Sequence, residues 1–274
     1  MKKYITSDFL KIIAVITMII DHIGLGLLSK YLKVITDIDL FFKVKTMYEA
    51  TRIIGRIAFP IFAHQLVQGF YNTGNRKKYA LNLLAFAVIS EIPFNLLMKG
   101  TVFYLGYQNV MWTLLFGYLA IWVIDAISES DKFKSPAKIK AIKVIVGILF
   151  VFLANIMRTD YKGYGVLLVI TMYVFYTSRE KLCLYTPFAF IITDLVFTLL
   201  RTTKFAYLFG GSVNMSIDSI LAAVNLECYS LIAFYFIYFD NGKRKLKGKI
   251  KYLFYFIYPA HITVIYLIST LVKV

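Results

Sequence analysis

Runs of mostly apolar residues recur along the whole chain, and this feature limits the possible folds more than any other. A helix of about 20 such residues crosses the hydrocarbon core of a bilayer. The runs lack the alternating pattern of barrel strands, and a backbone inside lipid must satisfy its own hydrogen bonds. We therefore predict an all-α, polytopic membrane protein that forms one domain over residues 1–274. The predicted spans, about nine in number, are residues 8–28, 51–70, 79–98, 109–127, 139–157, 163–178, 182–200, 219–239 and 250–271.

Composition and charge distribution exclude two other classes of protein. The chain is 59% hydrophobic and 17% charged, whereas soluble domains are about 45–50% apolar and about 25% charged. A single soluble core is therefore excluded. The net charge of +16 comes from Lys and Arg in short loops. Since they form no continuous basic face, we expect no nucleic-acid partner.

The distribution of Lys and Arg between alternate loops predicts the orientation of the protein. The loops on the same side as the N-terminus are the richer in these residues, and such loops are normally cytosolic. We predict a cytosolic N-terminus in a cell membrane, either inner or plasma. The basic positions on that side are Lys2, Lys3, Arg76, Lys77, Lys78, Lys132, Lys134, Lys138, Lys140, Arg179, Lys181, Lys243, Arg244, Lys245, Lys247, Lys249 and Lys251.

Cysteines and prolines add two further expectations. Cys183 and Cys228 are isolated in apolar stretches, so we interpret them as packing residues and expect neither a disulfide nor a metal site. A proline inside a helix lacks an N–H and frees the carbonyl four residues earlier. We therefore predict kinked helices around a polar cavity, with the kinks at Pro60, Pro93, Pro187 and Pro259.

Several ionisable side chains lie inside the predicted spans. Each costs roughly 2.5–3.5 kcal/mol at the middle of a membrane helix unless it faces protein or water. Such residues therefore indicate a functional site. They are Asp21 and His22 in the first span, Arg52, Arg56 and His64 in the second, Glu91 in the third, and His261 in the last.

Two arginines of the second predicted span have two interpretations. Arg52 and Arg56 are one helical turn apart, so together they can bind a phosphate, a carboxylate or a developing oxyanion. Alternatively, they neutralise Asp21 and Glu91 in a structural network. Pro60 would free the carbonyl of Arg56, which favours a hydrated site.

His22 is the candidate base of the first span. Adjacent helical residues point about 100° apart, so Asp21 cannot orient His22, and both need partners from other helices. A neutral imidazole in an apolar pocket suits a general base, whereas a structural hydrogen bond is the alternative. Gly26, one turn later, leaves room for a substrate or a closely packed helix. His64 is interpreted as a structural contact, and His261 as a second site residue.

Two loops complete the candidate site in this topology. On the outer side, the segment 158–165 contains Gly163 and Gly165, which permit a tight turn; an ordinary interfacial turn is the alternative. On the cytosolic side, the segment 75–78 includes Arg76 and can hold the phosphates of a nucleotide carrier, unless it is only a topology signal. We expect His22, Arg52, Arg56, Glu91 and Asn109 to share one outer chamber.

Five blocks distributed from the first span to the last carry a family resemblance. They are Leu10–Gly24, Gly55–Phe62, Gln108–Asn109, Tyr161–Gly165 and Phe254–His261. In this order they resemble the TraX family, whose founding member is linked to N-terminal acetylation of conjugative pilin. The resemblance implies catalysis by His22 and a role for Arg56 and His261 in the site.

This resemblance also implies a reaction. It predicts a membrane acyltransferase that moves an acetyl group from cytosolic acetyl-coenzyme A to an acceptor on the outer face, which is a pilin N-terminus, a peptide, a lipid or a glycan. The chain would then work with the lipid bilayer and this acceptor, with homo-oligomerisation left open. The alternatives are a secondary transporter or flippase and a purely structural assembly factor. The predicted catalytic residues are His22, Asp21 and His261, and those for donor binding are Arg52, Arg56, Arg76, Asn109 and Tyr164.

Overall fold

The computed structural model describes residues 4–129, 135–200, 226–244 and 250–271. Within these ranges the regular elements are helices, and two isolated β-bridges join short segments without forming a strand. The predicted all-α class is confirmed. In chain order the elements are α1 (Ser7–Ile23), a π-helical segment (Gly24–Leu28), α2 (Ser29–Tyr31), α3 (Ile38–Gly55), α4 (Ala58–Asn72), α5 (Arg76–Lys99), α6 (Val110–Ser128), α7 (Pro136–Ile156), α8 (Lys162–Phe175), α9 (Arg179–Leu200), α10 (Leu231–Tyr238) and α11 (Ile250–Leu271).

Most predicted spans correspond to apolar helices, which makes this a multi-pass membrane protein. Among the described residues, 6 helices are long and apolar enough to cross a membrane. They are Ser7–Tyr31, Arg76–Lys99, Val110–Ser128, Pro136–Ile156, Arg179–Leu200 and Leu253–Leu271. Two shorter apolar helices, Lys162–Phe175 and Leu226–Tyr238, match the predicted spans 163–178 and 219–239.

The predicted second span, 51–70, is wrong as a single helix. Helix α3 begins much earlier, where the side chain of Asp37 caps its N-terminus by accepting from the backbone N–H of Leu40 at 2.7 Å. It ends at Gly55, and a turn at 56–57 separates it from α4. The charged residues of α3 hid this helix from a hydropathy pattern. Arg52 and Arg56 therefore do not share one continuous helix.

The prolines are partly as predicted. Pro93, Pro187 and Pro259 lie inside α5, α9 and α11. Pro60 is the third residue of α4, where a missing N–H breaks no intrahelical hydrogen bond. The prediction of a kink at Pro60 is therefore wrong, because α3 ends at Gly55 and a new helix begins at Ala58.

Some predictions fall outside the described residues. They concern Lys2, Lys3, Lys132, Lys134, residues 219–225, Lys245, Lys247 and Lys249.

The chain divides into two compact units, each of which is discontinuous in sequence. The first contains Met1–Phe62, Val88–Tyr104 and Asn225–Val274, and the second contains Ala63–Ala87 and Leu105–Val224. Helices α4 and α5 contribute residues to both units. The single domain over residues 1–274 stays a prediction.

In the first unit, α1 packs against α3 and α11. Its N-terminal end is held by Ser7, whose hydroxyl donates to the buried carboxylate of Asp240 at 2.9 Å. The backbone N–H of Ile5 donates to the carbonyl of Phe239 at 3.1 Å. These bonds fix the start of α1, from which the site residues follow about four turns later along the helix.

In the second unit, α6, α7, α8 and α9 pack together. The core between α6, α7 and α8 contains Phe116, Ala120, Ala154 and Val166. Gly117 lets α6 approach α8 closely, since a Cβ there would meet the side chain of Val169 at 2.8 Å. Dispersion contacts of this kind hold membrane helices together, because lipid tails are as apolar as the side chains.

Candidate functional site

Two histidines from opposite ends of the sequence meet in the first unit. Nε2 of His261 lies 2.8 Å from Nδ1 of His22, and the ring centroids are 4.9 Å apart. Nδ1 of His261 lies 2.7 Å from the carbonyl oxygen of Ile257. His22 is only 7% exposed. The two imidazoles therefore form one hydrogen-bonded pair, with His22 buried and His261 partly buried, which we call the histidine pair.

Next to His22 in sequence, Asp21 belongs to a group of four charged residues, three of them buried and Arg52 partly buried, here called the charge cluster. Arg52 donates from Nη1 to Oδ1 of Asp21 at 2.6 Å, and Nη2 of Arg56 lies 3.6 Å from the same oxygen. Arg56 also donates from Nη1 to Oε1 of Glu227 at 2.7 Å. Two guanidinium groups face two carboxylates, so the charge cluster is formally neutral.

Glycines bring α1 and α3 close enough for these contacts. A Cβ at Gly55 would overlap the side chain of Asp21, and one at Gly24 would overlap the side chain of Thr51. Small residues at a crossing let two helix backbones approach closely. Because α3 ends at Gly55, Arg52 lies in its last turn and Arg56 in the turn that follows. The end of α3 at Gly55 therefore places both guanidinium groups beside Asp21.

The π-helical segment that follows His22 also packs tightly. A Cβ at Gly26 would meet Ile265 at 2.5 Å and Leu97 at 2.7 Å. Of the two predicted uses of Gly26, the closely packed helix is therefore the one observed. Single π-helical turns inside α-helices occur frequently at functional sites. Here the turn follows the histidine pair directly.

Tyr258 borders the histidine pair from α11. Its ring centroid lies 6.1 Å from that of His22 and 5.7 Å from that of His261, edge-on in both cases. The residue is 3% exposed. The tyrosine ring therefore packs edge-on against both imidazoles.

The three remaining donor-binding candidates, Arg76, Asn109 and Tyr164, belong to the second unit. Arg76 pairs with Asp125 at 2.7 Å and lies over the ring of Phe70 at 4.3 Å from its centroid. Asn109 caps α6, and its Nδ2 donates to the carbonyl of Ala87 at 2.9 Å.

Tyr164 is buried among aromatic rings of the second unit. Its ring centroid lies 5.7 Å from that of Tyr161, 5.6 Å from that of Phe190 and 6.4 Å from that of Phe197. Arg76, Asn109 and Tyr164 thus each make structural contacts within the second unit, and their assignment to donor binding stays a prediction.

His64, the third histidine, is fully buried in the second unit. Its Nε2 lies 2.9 Å from Nη1 of Arg179. This contact fits the structural role that we predicted for it.

In the loop at residues 158–165, which we predicted to lie on the outer side, the residues that make the turn differ from the prediction. Arg158 and Lys162 adopt the left-handed region, with φ of 52° and 43°. Neither predicted glycine does so among the described positive-φ residues. Gly163 is needed for a different reason, because a Cβ there would meet the side chains of Asn155 and Val151. The turn is therefore made by non-glycine residues beside a tightly packed glycine.

The family model for the TraX protein matches residues 6–269. The chain belongs to the TraX family. A relative in Dichelobacter nodosus, the "Probable fimbrial assembly protein FimC, serogroup H1", is 25% identical over 263 residues, which cover 93% of this chain and 92% of that protein. No solved structure is significantly similar to the chain.

The family resemblance predicted from sequence is therefore confirmed, and the structure of this TraX chain explains part of the predicted site. As expected, Asp21 and His22 find their partners on other helices. Of the two interpretations of Arg52 and Arg56, the structural pairing with Asp21 is observed. The roles of these residues in catalysis or donor binding stay predictions.

Sequence reasoning missed Glu227 in this TraX chain. Arg56 pairs with Glu227, and the alternative in which the arginines also neutralise Glu91 stays a prediction. The signal was available, since Glu227 is a carboxylate inside the apolar run 219–239. The rule that marks ionisable residues in membrane spans as functional candidates applies to it equally.

Proposed function

We propose that this TraX-family protein is a membrane acyltransferase that moves an acetyl group from cytosolic acetyl-coenzyme A to an acceptor reached from the outer face. The observation that carries the proposal is the histidine pair, joined by a 2.8 Å hydrogen bond. An imidazole inside a membrane protein is rarely retained without a function. The relative in Dichelobacter nodosus is a probable fimbrial assembly protein, so pilus subunits are the first acceptors to test. Other peptides, lipids and glycans follow.

The chemistry needs a base for the acceptor. The hydroxyl or amine of the acceptor forms a bond to the acetyl carbon while the carbon–sulfur bond of the thioester breaks. A histidine takes the proton of the acceptor and delivers it to the leaving thiolate of coenzyme A. Transient attachment of the acetyl group to His22 is the other route that an imidazole permits.

The charge cluster supports this chemistry because it includes the sequence neighbour of His22 and holds guanidinium N–H donors in fixed positions. Its two guanidinium groups are matched by two carboxylates, so it offers no excess charge to the several phosphates of coenzyme A. A fixed guanidinium can still stabilise the oxyanion that develops on the acetyl group. In the proposal, Arg56 has that role and Arg52 keeps Asp21 in place.

The phosphates of the donor require other cations. Lys77 and Lys78 follow Arg76 at the start of α5, and both are exposed. Arg76 itself is partly exposed and paired with Asp125. We therefore assign the phosphates to this loop, with Lys77 and Lys78 as the principal contacts and Arg76 as a fixed neighbour. This assignment requires the loop to face the cytosol, as the bias of Lys and Arg predicts.

The test is a labelling reaction with purified protein in lipid nanodiscs. Radiolabelled acetyl-coenzyme A is added with pilus subunits or with an envelope extract, and labelled products are separated. Replacing His22 by Ala should lower the rate by about 10²–10⁴-fold, the usual contribution of a general base. His64→Ala is the matched control, since His64 is also a buried histidine but lies in the second unit. It should retain most of the activity.

Two results would contradict the proposal. Full activity of a folded His22→Ala variant would remove the base from the mechanism. Movement of an unmodified substrate across the bilayer, without labelled product, would favour a transporter or flippase. That alternative is retained because buried charges and prolines inside membrane helices, as in α5 and α11, also occur in transporters.

A further inference from the structure

The hydrogen bonds of the histidine pair are donated in one direction, which the backbone carbonyl of Ile257 determines. Nδ1 of His261 lies 2.7 Å from the carbonyl oxygen of Ile257. A carbonyl oxygen only accepts hydrogen bonds, so Nδ1 of His261 must carry a proton. In a neutral imidazole the other nitrogen then carries the lone pair. Nε2 of His261 is therefore an acceptor.

The tautomer of His261 in turn determines the tautomer of His22. Nε2 of His261 lies 2.8 Å from Nδ1 of His22. Since Nε2 of His261 accepts, Nδ1 of His22 must donate. Neutral His22 then carries its lone pair on Nε2, the nitrogen that faces away from its partner across the ring.

From this order we infer that His22 is the base of the reaction, acting through Nε2, and that His261 is a positioning residue that holds the ring of His22 in the required tautomer. The inference rests on the proposed acetyl transfer for its catalytic meaning. The order of hydrogen bonds from Ile257 through His261 to His22 stands independently of it.

The opposite assignment conflicts with the contacts. Both ring nitrogens of His261 are already used, one towards Ile257 and one towards His22. To act as a base, His261 would first have to break its bond to His22. His22 can take a proton at Nε2 while its Nδ1–H bond to His261 remains. That bond becomes charge-assisted as the ring of His22 becomes cationic, and so it strengthens when it is needed.

The role of His261 is the one that a carboxylate has in serine-protease triads, where it orients a histidine and stabilises its cation. Asp21 is adjacent to His22 in sequence but does not take this role. Its Oδ1 accepts from Arg52 at 2.6 Å, and adjacent helical residues point in different directions. A neutral imidazole therefore replaces the carboxylate as the orienting group.

The proton balance of the step is complete. The acceptor oxygen or nitrogen attacks the acetyl carbon, and its proton moves to Nε2 of His22. The carbon–sulfur bond breaks, and the same proton passes from Nε2 to the thiolate of coenzyme A. The proton of Nδ1 stays between the two rings, so His261 neither gains nor loses a proton.

Substitutions by glutamine distinguish the two roles. Glutamine at position 261 can place its side-chain oxygen near the former Nε2 and accept from His22. We expect His261→Ala to lower kcat by about tenfold, the size of one neutral hydrogen bond, and His261→Gln, which keeps the acceptor, to lower it less. His22→Gln should lose about 10²–10⁴-fold, because an amide is no base. His64→Gln should leave kcat nearly unchanged.

The reversed pattern, with His22→Gln active and His261→Gln inactive, would overturn the assignment. Equal losses for His261→Gln and His261→Ala would also overturn it, since an acceptor at that position would then give no rescue. Thermal unfolding in nanodiscs shows whether each variant is folded.

A measurement without turnover tests the same order directly. The chain has 3 histidines, so nitrogen-15 labelling of histidine gives few signals, and the three single glutamine variants assign them. We expect protonated Nδ1 and unprotonated Nε2 in both His22 and His261. A proton on Nε2 of His22 would refute the inference. If the wild-type protein transfers no acetyl group, the proposed function fails, whereas this spectrum still decides the direction of the histidine pair.

Discussion

Breaking the ion pair between Arg56 and Glu227 is expected to lower the free energy of unfolding of the first unit measurably. The two side chains are 10% and 8% exposed, and their closest atoms are 2.7 Å apart. Removal of one partner from a buried ion pair costs about 3–5 kcal/mol, because the other charge stays buried without compensation. The contacts of Arg56 predict a different cost for each partner.

Arg56→Gln should lie at the upper end of this range. It removes the guanidinium from Glu227 and also the 3.6 Å contact with Asp21, which then keeps only Arg52. Glu227→Gln should lie at the lower end, because Arg56 keeps its contact with Asp21. The double variant should cost less than the sum of the two single variants by about 1–3 kcal/mol, the usual coupling energy of contacting residues.

The free energy of unfolding is to be measured by steric trapping in detergent micelles, over a complete double-mutant cycle. Lys45 and Glu49 of α3 provide the matched control. They form an exposed ion pair of 3.9 Å, with side chains 50% and 59% exposed, and such pairs couple by about 0.3–0.5 kcal/mol. A coupling energy for Arg56 and Glu227 no larger than that of this control would refute the reasoning.

Two other substitutions test the packing of each unit. Gly55→Ala should destabilise the protein by about 1–3 kcal/mol through overpacking, since its Cβ would overlap the carboxylate of Asp21. Gly74→Ala is the control and should be neutral, because a Cβ there would have nothing within 4 Å. Equal unfolding free energies for the two variants would contradict this. Asn109→Ala should cost about 1–2 kcal/mol by removing a helix cap and, if Asn109 only caps α6, should leave the KM for acetyl-coenzyme A unchanged. A large increase in that KM would instead support its predicted contact with the donor.

The helical spans could be predicted because their signal is local. A helix that crosses lipid needs only length, apolar side chains and satisfied backbone groups, and a window of sequence contains all three. The first and last spans were predicted within a few residues of their observed ends. The second failed because α3 is a helix with charged residues, which a hydropathy pattern does not detect.

The candidate site was predicted residue by residue but not as an arrangement. His22, Asp21, Arg52, Arg56 and His261 were each singled out by a polar group in an apolar run, and the structure brings all five into the first unit. The pairing of Arg56 with Glu227 was not available from sequence. Glu227 is one of several carboxylates in apolar runs, and only the packing of the chain brings it to Arg56.

The sequence by itself determined a multi-pass helical membrane protein of the TraX family and a short set of ionisable residues, because hydropathy and residue type are properties of each segment. Only the tertiary structure decided that His22 meets His261, 239 positions away, and that the turn after Gly55 places two arginines beside Asp21. A hydrogen bond acts over about 3 Å and depends on angle. Such accurate positions depend on how the helices pack and where each helix ends. No single segment of sequence contains this information.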